Sequence, residues 1–417
     1  LTTTPFIPPW LDWPQTKKLV RVFSVKPGSL RFVGGAVRDG LLGKPVQDVD
    51  VATTLLPDEV MALLEKEGIR VMPTGITHGT VTAVVDKKHF EITTLRKDTA
   101  CDGRHAEVEF TTDWKEDASR RDFTINTIYL SPEGELFDYF EGQDDIKSGN
   151  VRFIGDANQR ISEDYLRILR FFRFYAYYGQ INGKWSEVDS VAVEACAALA
   201  SHMSALSGER IQHELFRLLS APSASETLRI MHDHKILPHV LGFGVSDCTM
   251  FVRFETIGRV VGIAVTPSIK LAAFVLKTDI NEENAFTKFA RRLRLSNNAE
   301  KTLQIVLQHC REIHPGLADL QQKRLIRKLG AENFRWCVVV GWALGKEPIA
   351  SDHVYSNMLQ MGMTWRVPVF PLGGEDLIAR GIKPGKALGE TLKRLEDAWE
   401  ASDYTMDRDG LISLLLR

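Results

Sequence analysis

Cysteine is scarce in this chain. The five residues (Cys101, Cys196, Cys248, Cys310 and Cys337) are odd in number, widely scattered and free of any Cys-x-x-Cys pair. That spacing excludes a disulfide framework and favours a reducing compartment. Long apolar runs are missing as well. Trp336 to Gly345 is too short to span a bilayer, and the stretch from Val260 to Val275 is broken by Pro267 and Lys270. The chain begins Leu-Thr-Thr-Thr and then turns to proline, without the basic start, apolar core and cleavage site of a secretory signal. With no initiator Met, upstream residues are expected to have been trimmed. Neither sign of charge dominates, the formal net charge being −2, so no overall basic excess points to nucleic acid and the distribution of charge must be read instead. Internal repeats and low-complexity segments are absent. These absences predict a soluble intracellular protein, and leave a bacterial cytosol and an organelle matrix both open.

A chain of 417 residues, 44% of them hydrophobic, can bury sizeable cores in about two to four domains. From about residue 30 to 150, strand-like and helical pieces alternate. Thr80 to Asp86, His89 to Leu95 and Ile128 to Leu130 are rich in β-branched and aromatic residues. Pro57 to Glu67 has helical periodicity, with proline at its start and Gly68 just past its end. After Glu163 strand signals nearly vanish, and helical segments run to the C-terminus, with breaks at Ala221-Pro222 and Gly381 to Gly385. The expected fold class is α+β: a small N-terminal α/β head with a mixed sheet, followed by an all-helical remainder.

Within the head, Arg31-Phe-Val-Gly-Gly-Ala-Val-Arg-Asp39 is followed by Asp48-Val-Asp50. Gly34 and Gly35 carry no Cβ, so backbone can approach phosphate, and the amides of a following helix start suit an anion. Asp48 and Asp50, two apart on a strand, aim at one place. Two hard oxygen ligands beside a phosphate cradle are what Mg²⁺ requires when it also holds substrate phosphates. A lone glycine pair is more often a turn, and a lone Asp-x-Asp a solvated one. Together, in this order, they read as nucleotidyl transfer.

Other constellations carry chemistry and admit bland readings beside it. Glu91 is either a third carboxylate near the aspartate pair or an exposed strand residue. In Arg120-Arg-Asp-Phe-Thr-Ile-Asn126, adjacent arginines can bind triphosphate, and Asp122 and Asn126 can touch a ribose hydroxyl; alternatively Asp122 caps the next helical turn. Asp164 and Arg167, three apart, are neighbours on a helix, where such a pair is usually an ordinary salt bridge. Yet cytosine and adenine each show an exocyclic amine beside a ring-nitrogen acceptor. A carboxylate accepts from that amine while a guanidinium donates to the ring nitrogen. Uracil and guanine reverse both polarities, so one Asp–Arg pair can accept CTP and ATP and reject UTP and GTP. Finally, Lys288, Arg291, Arg292, Arg294, Lys301, Arg311, Lys323, Arg324, Arg327 and Lys328 are opposed only by Glu300, Glu312 and Asp319. This is either a solvated helical face or a phosphate-backbone track. His232-Asp233 has no partner cluster and reads as helix-end chemistry.

The ordered set GGAVRD, DVDVAT, FEITTLR, DGRHAEVEF, RRDFTIN, FDYFEGQDDIKSGNVRFIG, EDYLRILRFFRF and GERIQHEL resembles the class II tRNA nucleotidyltransferases, the CCA-adding enzymes of the poly(A) polymerase family. The resemblance is dense from about residue 30 to 220 and looser beyond, although Gly374 to Gly389 resembles the tail segment of bacterial members. It implies a seahorse-like arrangement of head (1–150), neck (151–220), body (221–310) and tail (311–417). It implies addition of C, C and A to tRNA from CTP and ATP without a nucleic-acid template, with no obligate protein partner. By this resemblance Gly34, Gly35 and Arg38 would hold triphosphate, and Asp48 and Asp50 would ligate Mg²⁺ in a two-metal mechanism, with Glu91 as a third carboxylate. Arg121, Asp122 and Asn126 would recognise ribose, and Asp164 and Arg167 would serve as the template. Arg170 and Arg173 would support that helix or contact phosphate, with Glu209 and Arg210 bracing it. From the basic stretch, apart from the resemblance, Arg291, Arg292 and Arg294 are the expected RNA contacts. Lys97 to Glu109, around Asp102-Gly103-Arg104, matches a flexible loop that CC-only enzymes tend to lack. Pro73 to Thr80 stands where bacterial poly(A) polymerases carry a basic element, which favours CCA addition over poly(A) synthesis. A partial CC- or A-adding enzyme and a non-catalytic tRNA-binding protein are the other readings.

Overall fold

The computed structural model describes residues 5–101, 106–245, 247–276, 285–345, 349 and 353–415. The chain divides into two compact units, Leu1–Val245 with Arg291–Arg294, and Ser246–Ala290 with Leu295–Arg417. The first takes in the expected head and neck and continues beyond residue 220.

After α1 (Pro14–Phe23), the first unit lays down β1 (Leu30–Val33), α2 (Gly35–Leu41), β2 (Val49–Thr53) and α3 (Pro57–Lys66). Next come β3 (Arg70–Gly75), β4 (Thr80–Val85), β5 (Lys88–Thr94), β6 (Arg96–Cys101) and β7 (Ala106–Phe110). Then follow α4 (Trp114–Ser119), β8 (Tyr129–Leu130) and β9 (Leu136–Phe137). The mixed sheet has the order β3-β4-β5-β2-β1-β8-β9. Only β2 and β5 run parallel among its described pairs. In the central strands alternate residues go inward: Val49 and Val51 on β2, Phe90 and Ile92 on β5, are buried, so Asp50 and Glu91 between them face outward. Strands β6 and β7 form a separate two-stranded ribbon. Asp102-Gly103-Arg104, the core of the expected flexible loop, lies outside the described residues.

Helices then take over with α5 (Gly142–Ser148), α6 (Ala157–Glu163), α7 (Leu166–Tyr178), α8 (Ser190–Leu199), α9 (Gly208–Ser220), α10 (Ala224–Asp233) and α11 (Leu237–Leu241). Helix α7 buries Ile168, Leu169, Phe171 and Phe172 completely and packs against α9 and α10. Among the described residues after Glu163 the strands are a hairpin of Gln180–Ile181 with Lys184–Trp185. His232 at the end of α10 touches the neighbouring Asp233 carboxylate at 3.3 Å and the Val245 carbonyl at 3.1 Å, the local helix-end contacts expected of it.

The second unit is helical in its described residues, with no helix long and apolar enough to cross a membrane. It comprises α12 (Thr249–Val261), α13 (Pro267–Val275), most of α14 (Ala285–Arg292), α15 (Asn297–His309), α16 (Asp319–Leu329) and α17 (Ala331–Leu344). The last four are α18 (His353–Thr364), α19 (Gly374–Ile378), α20 (Lys386–Ala401) and α21 (Arg408–Ser413). The apolar run at Trp336 to Gly345 forms α17, buried among α12, α15, α16 and α18. Leu372, Leu377, Leu395, Trp399, Tyr404 and Leu411 close a second core at the C-terminus. Cys196, Cys248, Cys310 and Cys337 are buried free thiols.

Candidate active site

Strand β1 ends at Gly34, whose φ of +73° and ψ of −132° favour glycine over any L side chain. A Cβ there would lie 3.7 Å from Asp50 Oδ2 and 3.9 Å from Arg121 Nη1, and one on Gly35 would lie 3.6 Å from Arg38 Nη2. The glycine turn therefore sits against a carboxylate and two guanidinium groups. Register completes the row: Val33 pairs with Asp50 across β1 and β2, and Asp50 with Glu91 across β2 and β5. Asp48, just before β2 begins, is near enough to act on the Asp50 carboxyl. Loss of water around Asp50, with Glu91 and Asp48 nearby, raises its carboxyl above the ordinary range, while Arg121 and Arg38 pull it back.

Arg121 is positioned from behind by Asp117, which is almost completely buried. Asp117 pairs with Arg120 at 2.7 Å and Arg121 at 3.1 Å, and accepts the Tyr129 hydroxyl at 2.6 Å. Burial alone would raise the Asp117 carboxyl; the two arginines and the hydroxyl overcome it and hold it far below the usual range. Arg160 donates to the Arg120 and Arg121 carbonyls.

Asp122 does not cap the following turn, whose preceding residue is Phe123. Its Oδ1 accepts from Asn126 Nδ2 at 3.0 Å, and its Oδ2 accepts from Arg170, through Nε at 2.8 Å and through Nη2. Asn126 in turn accepts at Oδ1 from Arg38 Nη1 at 2.6 Å. Burial works against the Asp122 charge, but Arg170, Asn126 and Arg167 prevail and bring its carboxyl down to about 2. Arg170 approaches Glu214 at 3.7 Å, and Arg173 pairs with Glu214 at 2.6 Å. Arg170 and Arg173 thus tie α7 to the head and to α9.

Asp164 and Arg167 do not form the ordinary helical salt bridge. Asp164 Oδ2 pairs with Arg210 Nη2 at 2.7 Å, and its Oδ1 accepts the Leu166 backbone N–H at 3.1 Å. Arg167 Nη1 donates to the Arg160 carbonyl at 2.7 Å and to Glu163. Each member is held by a different partner at the start of one helix.

The basic stretch is divided in its use. Arg291 and Arg294 are exposed, Arg294 within 3.6 Å of the exposed Glu209. Arg292 instead donates to the His239 carbonyl at 2.9 Å. Farther on, Lys323 pairs with Asp403 at 2.6 Å, Arg324 with Glu400 at 3.4 Å, and Arg327 with Glu396 and Glu400. A continuous phosphate track from Lys288 to Lys328 is therefore not what the fold makes: acidic residues of α20 and the turn after it neutralise its distal end.

The sequence reading missed Asp39, Asp117, Glu163, Tyr178 and Glu214 as groups that hold the site's cations. For Asp117 and Glu163 a signal was present, an acid three or four residues from each of two arginines. Asp39 holds its own chain neighbour Arg38, whereas for Tyr178 and Glu214 the partners that matter come from other elements, and no local spacing reveals them.

Residues 30–152 match the Poly A polymerase head domain, and residues 187–243 match the probable RNA and SrmB-binding site of polymerase A. The CCA tRNA nucleotidyltransferase 1, mitochondrial, of Mus musculus is 36% identical over 410 residues, covering 96% of this chain and 89% of the mouse protein. This chain belongs to the CCA tRNA nucleotidyltransferase family. The CCA-adding enzyme of Leuconostoc mesenteroides is 29% identical over 391 residues, covering 91% of this chain and 90% of its own. In fold, the chain is similar to the Bacillus stearothermophilus CCA-adding enzyme in complex with CTP, with a TM-score of 0.73 at 24% identity over 94% of each chain. It is also similar to the Thermotoga maritima CCA-adding enzyme complexed with tRNA, with a TM-score of 0.68 at 17% identity over 99% of each. As a member of this family the chain is a nucleotidyltransferase, and the family's chemistry uses a divalent metal.

Proposed function

We propose that this chain adds C, C and A to the 3′ end of tRNA from CTP and ATP, without a nucleic-acid template. The observation that carries this reading is the row Gly34–Asp50–Glu91, which sets a phosphate-accessible turn against carboxylates with Arg38 and Arg121 beside them. Relatives that match almost the whole chain and are named for CCA addition support it.

Asp48 and Asp50 are the residues that would hold Mg²⁺, with Glu91 as the third carboxylate. All three are exposed, with Asp50 opposite Glu91 in register and Asp48 two residues before Asp50. Among the described residues no group of three or more His, Cys, Asp or Glu is set to hold an ion; the remaining ligands would have to come from substrate phosphates and water. Bound there, two such ions would supply Lewis-acid activation of the 3′-hydroxyl and countercharge for the departing pyrophosphate. The protein's own part is positioning. Gly34 and Gly35 admit the triphosphate, Arg38 and Arg121 supply its countercharge, and the Asp122–Asn126 pair reads the ribose. Asp164 and Arg167 present acceptor and donor to the base edge, so the 3′-oxygen bonds to the α-phosphorus of CTP or ATP and pyrophosphate leaves. Residues 1–150 would then be the catalytic head, 151–220 the base-reading neck, and 221–310 and 311–417 the body and tail that grip tRNA. The buried free thiols suit a reducing setting such as the cytosol.

The test is extension of one tRNA transcript ending before CCA, after C and after CC, with each nucleoside triphosphate alone and with CTP and ATP together. Two cytidines and then one adenosine, followed by arrest, are expected. Long A tails would mean a poly(A) polymerase, extension by only one nucleotide a partial enzyme, and tRNA binding without extension a non-catalytic protein.

A further inference from the structure

Helix α7 is tied to the head at both ends. Near its start Arg170 holds Asp122, and at its end the Tyr178 hydroxyl donates to Asp39 Oδ1 at 2.9 Å. The same Asp39 carboxylate receives Arg38 through two bonds of 3.0 Å, from Nε to Oδ1 and from Nη2 to Oδ2. The Tyr178 ring also lies under that guanidinium, 4.3 Å from Arg38 Cζ, with the Phe174 ring one turn earlier at 5.2 Å. On its far side Arg38 donates to Asn126. Lys44 reaches the Tyr178 ring at 4.3 Å and the Tyr177 carbonyl at 3.2 Å, fastening α2 and the turn after it to the end of α7. Arg38 is 7% exposed, gripped on three sides, and Nη2, while bonded to Asp39, also lies beside Gly35.

We propose that Tyr178 is a positioning residue for triphosphate binding, acting through Asp39 to set the guanidinium of Arg38 before the nucleotide arrives. The inference rests on the assignment of Arg38 to the triphosphate. An arginine side chain loses much rotamer freedom when it docks on a phosphate. A carboxylate behind it and a ring beneath it remove that freedom in advance, so less binding free energy is lost to ordering. The triphosphate contact is common to CTP and ATP, persists through the reaction and remains in pyrophosphate. Losing it weakens ground-state and transition-state binding alike, which raises KM and leaves kcat in place.

The experiment is steady-state kinetics of Tyr178→Phe on tRNA ends that accept a single C or a single A, with pyrophosphate as inhibitor and a thermal melt as control. Removal of one hydrogen bond to a charged group predicts KM for CTP and for ATP both raised about tenfold. The inhibition constant of pyrophosphate should rise by the same factor, with kcat and melting temperature nearly unchanged. Tyr178→Leu, which also removes the ring, should add a further loss of a few-fold. If Tyr178→Phe fails to fold, Asp39→Asn keeps the volume and is expected to give the same KM and pyrophosphate pattern. Unchanged KM and pyrophosphate inhibition would overturn the proposal. So would a fall in kcat alone, or a KM change confined to one nucleotide. A wild-type protein that extends no tRNA end would instead overturn the functional reading beneath it.

Discussion

Asp164 is held by Arg210, 46 residues further along the chain and 2.7 Å away, and not by Arg167 three residues on. Arg167 is held by Glu163. The two groups assigned to read a base edge are thus oriented separately, each with its own counter-ion. If they neutralised each other, neither would be available for a base. Arg210→Ala should leave Asp164 mobile, lowering kcat/KM for both CTP and ATP by about tenfold and raising the fraction of UTP and GTP inserted. Single-nucleotide extension with each triphosphate checks this.

Asp48→Ala and Asp50→Asn should each abolish turnover, by on the order of a thousandfold or more, while leaving tRNA binding in place. A chelator should reproduce the loss in the wild type, and added Mg²⁺ should restore it. Filter binding beside the extension assay separates the two effects.

The Asp122 carboxyl is depressed to about 2 in the fold from an ordinary value of 3.8. A depressed carboxyl contributes stability that is present above the unfolded value and lost as pH falls through the folded one. The wild type should therefore lose on the order of 2 kcal/mol from this group between about pH 4 and pH 2. Asp122→Asn should be less stable at neutral pH and lack that part of the acid sensitivity. Urea unfolding across this range measures both.

Charge reversal should distinguish the two ends of the basic stretch. Arg291→Glu and Arg294→Glu, at exposed positions, should raise the apparent KM for tRNA and flatten its salt dependence by about one power of salt concentration per lost phosphate contact. Arg327→Glu should lower the melting temperature, because Arg327 faces Glu396 and Glu400, and should change the salt slope less.

What was legible in the sequence was mostly local. The Gly34 turn and the strands at Thr80 to Val85 and Lys88 to Thr94 follow from neighbours in the chain, and the fold has them where the pattern puts them. The alignment of Asp50 with Glu91 was not legible, because a parallel register depends on the crossover between strands. Strand β3 went unread because Pro73 interrupts it, and the hairpin at Gln180 to Trp185 because its strands are two residues long. The counter-ions of the site lie farthest from view. Glu214 sits two helices from Arg173, and Glu396 lies 69 residues from Arg327, so a run of bare cations in the sequence became a paired helix face in the fold.

The central claim is that two protein side chains select the nucleotide. The most direct measurement is the ratio of CTP to UTP insertion on a tRNA lacking CCA, and of ATP to GTP insertion on a tRNA ending in CC, for the wild type and for Asp164→Asn with Arg167→Gln. Those substitutions turn the acceptor into a group that can also donate, and the donor into one that can also accept. Both ratios should fall by about a hundredfold or more. Unchanged ratios with a uniformly slower reaction would contradict the account and place base selection elsewhere.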